Sequence, residues 1–191
     1  MVRSMSLKLD LGLLEGTGTA PEIRGLKNTT GIQTLAIAAN GLIPANLDFI
    51  ADAIGLAQAA NANPDAIFLN PRSWRTLLKI KTASADNKSL LQNEQGGAPT
   101  SPRFSLYGLP VFLSSQLATT EVQGTSGAVA SSAYVVDTSQ CHVVMRTNGV
   151  SVERDSSRLF NSDQSELRAT ARVGFAVSAP SAIVRVTGIL A

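Results

Sequence analysis

Cysteine and histidine are almost absent from this sequence, which holds one of each among its 191 residues. A disulfide framework needs paired cysteines, and a zinc finger or a metal site with two histidine or two cysteine ligands needs more than the chain contains. These classes are therefore excluded. The two residues, Cys141 and His142, are neighbours, and neighbours in a strand point to opposite faces, so they cannot act together as nucleophile and base.

Aromatic and charged residues are also scarce, at 5% and 16% of the chain, whereas hydrophobic residues make up 44%. We therefore expect a core of Val, Ile, Leu and Ala rather than one built on large rings. The 16 basic and 14 acidic residues give a net charge of +2. This charge is too weak to indicate binding to nucleic acid or to an anionic membrane surface.

Long apolar runs are missing as well, including at the start of the chain, where Met1–Met5 has one arginine and no signal-like stretch behind it. No segment is apolar enough to cross a bilayer, and a single cysteine fits a reducing compartment. The expectation is a soluble protein made in a cytoplasm, with one domain or two small ones.

Two segments in the first third of the chain have the pattern of helices. Leu7–Leu14 is expected to be the end of a helix that stops at Glu15–Gly18, because two glycines in three positions favour left-handed or irregular backbone. Ala45–Ala60 has apolar residues at helical spacing and a narrow polar stripe, which predicts a mostly buried helix. A short strand is expected between them, over Ile32–Ala38.

The most specific local pattern is a strand that runs directly into a helix. Ala66–Leu69 is a short continuous apolar run, typical of a buried strand. Asn70 can cap the following helix, and Pro71 suits its first position, where the missing N–H would be unpaired in any case. Three residues at helical spacing are expected to support the core: Trp74, Leu77 and Leu78.

The second half of the chain has the signals of strands. Alternation of apolar and polar residues over Leu167–Val177 predicts a strand with one face on a core and two arginines on the other. Pro110 places the strand Leu106–Leu113 at an edge or a bulge, and Thr147-Asn148-Gly149 predicts a tight hairpin. Further strands are expected over Ala133–Met145 and Ala182–Ile189. The fold class is α+β, a mixed sheet flanked by helices.

A polar, glycine-rich segment separates the two halves, over residues 82–103, with Leu90-Leu91 as its only apolar pair. It is longer than most loops of compact domains, which indicates a functional or mobile segment. Lysines at 79, 81 and 88 lie near it, but without interleaved aromatic residues they do not favour nucleic-acid binding.

Two patterns resemble catalytic sites and fit other roles better. Glu15–Thr19 has glycines like those of a phosphate loop, but it follows a helix and lacks the Gly-Lys-Ser/Thr ending. Three carboxylates are interleaved with four arginines, which favours a salt-bridged surface or a subunit interface over paired carboxylate catalysis. These are Asp155, Asp163 and Glu166 with Arg154, Arg158, Arg168 and Arg172. We therefore expect no enzyme.

Four segments between Leu11 and Val186 then carry a resemblance to a known family. They are Leu13–Gly18 with Gly25-Leu26, Ala66–Trp74, Leu106–Val111, and Val150–Phe160 with Arg168–Val177 and Pro180–Ala182. In this order they resemble the spine-helix end, the strand-to-helix unit, the Gly-Leu-Pro-Val strand and the closing strands of the major capsid proteins of tailed bacteriophages, the Hong Kong 97-type fold. The family's N-terminal arm, extended loop and most of the spine helix have no counterpart here.

The resemblance implies a domain organisation. Residues 1–31 would be the end of the spine helix and its glycine-rich exit, in the peripheral domain. Residues 32–148 would form the axial domain, 149–180 the strands of the peripheral domain, and 181–191 a final strand returning to the axial domain.

The resemblance also implies a function without catalysis, cofactor or metal. The chain would be a major capsid subunit that self-assembles into pentamers and hexamers of a phage or prophage head around double-stranded DNA. Its partners would be copies of itself and DNA held without sequence specificity, and it would bind no membrane and no small-molecule substrate. It would be made in the host cytoplasm and would be located in the virion. The subunit-interface residues would be Leu90, Leu91, Gln92, Asn93, Glu94, Gln95, Gly96 and Gly97, near the capsomer axis, and Arg154, Arg158, Arg168 and Arg172.

Some family members join subunits covalently through a lysine of the extended loop and an asparagine, assisted by a glutamate. In this chain Asp163 stands at the asparagine position and Thr170 at the glutamate position. Asn161 lies two residues before the asparagine position, so no cross-linking is expected.

Two alternatives to a capsid subunit remain open at this point. One is an encapsulin-type nanocompartment shell. The other is a small-molecule enzyme with an unrecognised site, which would need a hydrophobic cleft with perturbed titratable groups.

Overall fold

The computed structural model of the chain describes residues 2–82, 89–91, 104–155, 157, 162 and 164–191. Within these residues it has three α-helices and nine strands. The helices are α1 (Val2–Glu15), α2 (Asp48–Ala59) and α3 (Pro71–Leu78). The strands are β1 (Gln33–Ala36), β2 (Ala66–Leu69), β3 (Ser105–Leu106), β4 (Leu109–Leu113), β5 (Glu121–Val122), β6 (Ala128–Val136), β7 (Cys141–Asp155), β8 (Glu166–Val177) and β9 (Val184–Ile189).

Seven of the described strands form one mixed sheet, in the order β1-β9-β6-β2-β4-β3, with β5 paired to one end of β6. The pairs β1–β9 and β2–β4 are parallel, whereas β6 is antiparallel to β9 and to β2. The other two strands, β7 and β8, form a separate two-stranded sheet. The prediction of an α+β fold with a mixed sheet flanked by helices is thus confirmed.

The main sheet is apolar on both faces because its inner strands alternate between two cores. On β2, Ile67 and Leu69 join the larger core, which α2 and α3 cover, whereas Phe68 points to the other face. The larger core contains Ile50 and Ala53 of α2, both fully buried. The smaller core on the opposite face is closed by Leu14 of α1 and by the base of the β7–β8 sheet.

The strand-to-helix unit forms as predicted. The Asn70 side chain accepts a hydrogen bond from Arg72 N at 2.8 Å and so caps α3, and Pro71 occupies the first turn. The Asn70 amide also donates to the Leu117 carbonyl oxygen at 2.8 Å, which fixes the start of the helix to the loop after β4. The predicted helices and most of the predicted strands at the other positions also form, with α2 beginning three residues later than expected. The single strand predicted over Leu106–Leu113 is instead a hairpin, in which β3 and β4 pair in antiparallel orientation across a turn at Tyr107 and Gly108, both with positive φ.

Three further details differ from the sequence-based expectations. Leu78 is 38% exposed and does not support the core, because its neighbour Leu77 takes the inward position and is fully buried. No hairpin forms at Thr147–Gly149: β7 runs through this segment as a bulge, and Gly149, at φ +58°, supplies the left-handed residue. Pro110 lies one strand in from the edge, but the strand outside it, β3, has only two residues.

The contrast between Leu77 and Leu78 gives a direct test of the packing. Leu77→Ala is expected to lower the free energy of unfolding by about 2–5 kcal/mol, because it leaves a cavity in the larger core. The matched change Leu78→Ala should cost less than about 1 kcal/mol, because the side chain is already partly in water. Urea unfolding of both variants measures the difference, and equal losses would contradict the described position of α3.

Candidate functional site

The outer part of the β7–β8 ribbon is poorly covered by the other described elements. The register of the ribbon runs from Cys141 opposite Val177 at the base to Asp155 opposite Glu166 at the tip, with a break between Met145 and Val150. Two-stranded ribbons bury little surface on their own and need another layer for stability. The ribbon is therefore the first place to look for contacts with a partner.

One face of the ribbon is mostly apolar, with Arg154 near its tip as the exception. At the base Cys141, Phe175 and Val177 pack against the smaller core. Farther out the side chains on this face are exposed, with Val152 at 59% and Leu167 at 56%. The exposed large apolar residues of this face are Val143, Met145, Val150, Val152 and Leu167. The prediction that the apolar face of β8 meets a core thus holds only at the base, because no described element covers the outer half.

The opposite face is polar over its outer half, whereas nearer the base it carries Val144, which is 65% exposed. Arg168 on β8 forms an ion pair with Glu153 on β7, with 2.7 Å between Nη2 and Oε2, and both side chains are more than half exposed. Ser151 and Thr170 are joined by a hydroxyl–hydroxyl hydrogen bond of 2.7 Å. Arg172 lies on this face as the alternation predicts. Arg154 pairs with Leu167 and so lies on the apolar face.

The ribbon carries three of the residues that were predicted to lie at subunit interfaces, but on different faces: Arg154 lies on the apolar face, and Arg168 and Arg172 lie on the polar face. Leu90 lies elsewhere, beside α3: its backbone N–H donates to the Ile80 carbonyl oxygen at 2.8 Å, and its side chain is 40% exposed. Leu91 is half-buried against the larger core. Gln92–Gly97 and Arg158 lie outside the described residues.

An ion network that the sequence analysis missed joins α1 to the main sheet. Lys27 Nζ lies 2.6 Å from Glu15 Oε2, at the end of α1, and 2.8 Å from Glu121 Oε1 on β5. Arg185 on β9 contacts the same Glu121 oxygen at 2.7 Å. Ser132 on β6 donates to the other Glu121 oxygen. Only contacts between distant parts of the chain create this network, so no local sequence signal could have identified it.

The charges of the network shift the pKa values of its members. Burial alone raises the pKa of Glu121, but the hydrogen bonds from Lys27 and Ser132 and the charge of Arg185 bring it below its ordinary value. Burial alone lowers the pKa of Lys27, but its hydrogen bonds to Glu121 and Glu15 raise it above its ordinary value. Both groups are therefore ionised at neutral pH, and each neutralises the other.

Close backbone packing fixes the end of α1 beside this network. Gly25 N donates to the Gly16 carbonyl oxygen at 2.8 Å. A Cβ on Gly16 would lie 2.2 Å from the Ile23 carbonyl oxygen, and one on Gly25 would lie 2.5 Å from Gly16 N. At both positions glycine is required by the approach of backbone to backbone. Glu15–Thr19 is thus a helix end, as the sequence analysis expected.

Cys141 and His142 point to opposite faces of the ribbon, as their adjacency requires. Burial raises the pKa of the Cys141 thiol to about 11, which keeps it protonated at neutral pH. His142 Nε2 lies 2.6 Å from Ser178 Oγ in an exposed pair. Among the candidate carboxylates, Asp155 and Glu166 are directly opposite each other at the ribbon tip. Asp163 is outside the described residues.

An apolar cleft of about 320 Å³ lies between α1, the smaller core and the ribbon base. Its lining includes the stacked rings of Phe68 and Phe112, whose centroids are 5.6 Å apart, together with Phe175 and Cys141.

The described residues contain no group of three or more His, Cys, Asp or Glu side chains that could hold a metal ion. None of the described helices has the length and hydropathy needed to cross a membrane.

The sequence model of the phage capsid family matches residues 1–188. The chain belongs to the phage capsid family. The family and the fold are those of structural shell proteins, so the resemblance inferred from the sequence is confirmed. No curated protein sequence gives a significant match.

Solved structures share the fold of this capsid-family chain at low sequence identity. The capsid protein of an empty GTA particle superposes with a TM-score of 0.72 at 18% identity, over 98% of this chain and 63% of that one. A chain from Gordonia phage Cozz gives a TM-score of 0.67 at 16% identity, over 100% and 61%. The SrpI encapsulin of Synechococcus elongatus PCC 7942 gives 0.66 at 13% identity, over 99% and 63%. The capsid-family chain thus spans less than two thirds of the length of these proteins.

Glu121 is the residue on which the ion network converges, and its removal provides a test. Glu121→Ala is expected to lower the free energy of unfolding by about 1–4 kcal/mol, because it leaves Lys27 and Arg185 partly buried without their shared counter-ion. The matched control is Glu153→Ala, which breaks the exposed pair with Arg168 and should cost less than about 1 kcal/mol. Urea unfolding compares the two, and equal losses would contradict the structural role of the network.

The network also predicts a dependence on pH. The pKa of Glu121 is lowered by folding, so its contribution to stability is complete above its ordinary pKa of 4.5 and is lost as the pH falls through the lower folded value. The contribution of Lys27 is complete below its ordinary pKa of 10.5 and is lost as the pH rises through the higher folded value. Urea midpoints across an acid series should fall less steeply in Glu121→Gln than in the unchanged chain, and parallel curves would contradict the assignment.

Proposed function

We propose that this chain acts as a major capsid subunit, which associates with copies of itself into the pentamers and hexamers of a phage or prophage head that encloses DNA. The observation that carries the proposal is the family match over residues 1–188. The outer apolar face of the ribbon adds support, because exposed contiguous apolar surface is typical of protein contact sites. Double-stranded DNA would be held without sequence specificity, consistent with the weak net charge.

The contacts between subunits are assigned to two regions in this proposal. Arg154, Arg168 and Arg172 on the ribbon, with Arg158, form one region. The segment Leu90–Gly97 forms the other, near the axis of a capsomer. The proposed division keeps residues 1–31 and 149–180 in a peripheral domain and 32–148 with 181–191 in an axial domain, although β7 begins before residue 149 and crosses that boundary.

An encapsulin-type compartment is the second candidate, since an encapsulin shares the fold. The family match favours a phage or prophage head. The proposed role involves no catalysis, and the virion is the proposed location, after synthesis in the host cytoplasm. The thiol in the apolar cleft has a raised pKa and is therefore a poor nucleophile.

Solution mass tests the proposed function. Multi-angle light scattering over a concentration series is expected to give a five- or six-subunit ring, because the axial region supplies the contacts around a capsomer axis. Electron microscopy of the same samples should show the rings directly. A monomer at all concentrations would contradict self-association by this chain.

A further inference from the structure

Two apolar surfaces of the chain are left open by its described elements, and they lie at opposite ends of the ribbon. The first is the apolar cleft beside the ribbon base, which Cys141 and Phe175 line. The second is the outer apolar face of the ribbon, where Val152 and Leu167 are more than half exposed. Along β8 the distance from Phe175 to Leu167 is about 27 Å, at about 3.4 Å per residue. Within one copy, the outer face is therefore too far from the cleft to fill it.

Asp10 of α1 places a negative charge at the rim of the cleft. It is the one charged residue in the described lining, it is exposed, and no described residue binds its carboxylate. The two cations of α1 do not neutralise it. Lys8 lies two residues away, where helix side chains do not face each other, and its charge acts on Glu22. Arg3 lies about two turns away, at about 10 Å.

Two further carboxylates make the surroundings of the cleft more negative. Burial has the largest effect on the pKa of the Cys141 thiol, and the charges of Asp137 and Asp65 raise it further. Both carboxylates already accept hydrogen bonds, Asp65 from Thr138 and Asp137 from Ser139. The described lining of the cleft includes no lysine or arginine. The cleft therefore favours an occupant that combines apolar side chains with a positive charge.

The outer apolar face of the ribbon has that composition. Arg154 is opposite Leu167 and lies on the same face as Val152. It is the one charged residue among the described residues of this face. Its side chain is exposed, and no described residue pairs with it. Two apolar side chains and one arginine are thus presented together near the tip.

The other charges of the outer ribbon lie on its polar face. The three carboxylates at the tip each have an interaction within their own chain: Glu153, Asp155 and Glu166. Arg168 is the partner of Glu153, and Arg146 and Arg172 lie at the bulge, about 17 Å from Leu167 along the ribbon. A copy that packs through its apolar face therefore presents Arg154 and turns these charges away from the contact.

We propose that the outer apolar face of the ribbon of one copy fills the apolar cleft of a second copy, so that Arg154 of the first binds Asp10 of the second. This inference rests on the proposed self-association and names the two surfaces and the ion pair. Because the two surfaces differ, the contact is head-to-tail, and contacts of this kind close into a ring where the rotation between copies allows it. A nucleic acid would be repelled by Asp10, and an apolar segment without a cation would leave that carboxylate unpaired.

A zero-length cross-link tests the contact directly. The variant Arg154→Lys keeps the positive charge and supplies an amine that a carbodiimide can join to the Asp10 carboxylate. Equal amounts of ¹⁵N-labelled and unlabelled Arg154→Lys chain are mixed and cross-linked, and mass spectrometry identifies the joined peptides. We expect position 154 to be joined to Asp10 in peptides of mixed label, because only two copies can bring these groups together. The matched control Arg172→Lys, on the polar face of the same ribbon, should give no link to Asp10.

Charge reversal tests the ion pair without a cross-linker. Arg154→Asp and Asp10→Arg should each raise the dissociation constant for self-association by about tenfold, because each places like charges together. An equal mixture of the two variants should recover association, since positions 10 and 154 of unlike chains then carry opposite charges. The matched control Arg172→Asp should change the dissociation constant by less than about threefold. Sedimentation equilibrium measures association, and circular dichroism checks that these exposed substitutions leave the fold intact.

A folded Arg154→Lys chain without a mixed-label link to Asp10 would overturn the inference, and so would reversal variants that associate as the unchanged chain does. The outcomes also separate the inference from the proposed function. Rings by light scattering without the link would reject the contact between ribbon and cleft and leave the proposed function standing. The link without rings would support the contact and reject ring formation. Absence of both rings and link would reject both proposals.

Discussion

The Glu121 carboxylate connects the segment after α1 to the main sheet. It contacts Lys27 from the segment after α1 and Arg185 from β9, and Lys27 continues the chain of charges to Glu15 at the end of α1. Glu15 Oε1 also accepts the Ala118 N–H at 3.0 Å. Each cation in the network contacts a carboxylate, and each carboxylate contacts a cation. These charges can therefore be partly buried without the desolvation cost of an unpaired ion. The direction in which α1 leaves the sheet depends on this network and on the glycine packing beside it.

Since α1 and the ribbon base both lie against the smaller core, the fixed end of α1 also determines how much of the ribbon the chain can cover. Leu14 of α1 packs with Phe175 and Val177 at the base of the ribbon. Next to this contact, the apolar cleft separates α1 from the ribbon. Beyond this point the ribbon has apolar side chains on one face and paired charges on the other, with no second layer among the described residues. A two-stranded ribbon without a second layer is stabilised only by its own cross-strand pairs. A protein partner that packs on its apolar face would supply that second layer.

The sequence predicts the parts of this structure that rest on local chemistry. The cap by Asn70, the position of Pro71 and the alternation along β8 each follow from neighbouring residues, and each forms. The predictions that were wrong concern residues whose local preference is overridden by contacts with distant parts of the chain. Asn148-Gly149 is a strong turn signal, but pairing of β7 with β8 on both sides turns it into a bulge, and Leu78 yields the buried position to Leu77 because α3 has only one face on the sheet. The Glu121 network could not be predicted at all, because its members come from four elements that only the fold brings together.

The identity to other proteins of this fold is low, 13–18% over nearly the whole chain. An alternating apolar strand and a capped helix can be formed by many sequences, so they permit this divergence. The charges on the polar face of the ribbon are different in kind, since no step in building the sheet or either core uses Arg172 or Asp155. Where such charges lie at a contact between proteins, their sign and spacing select one orientation of the partner over another.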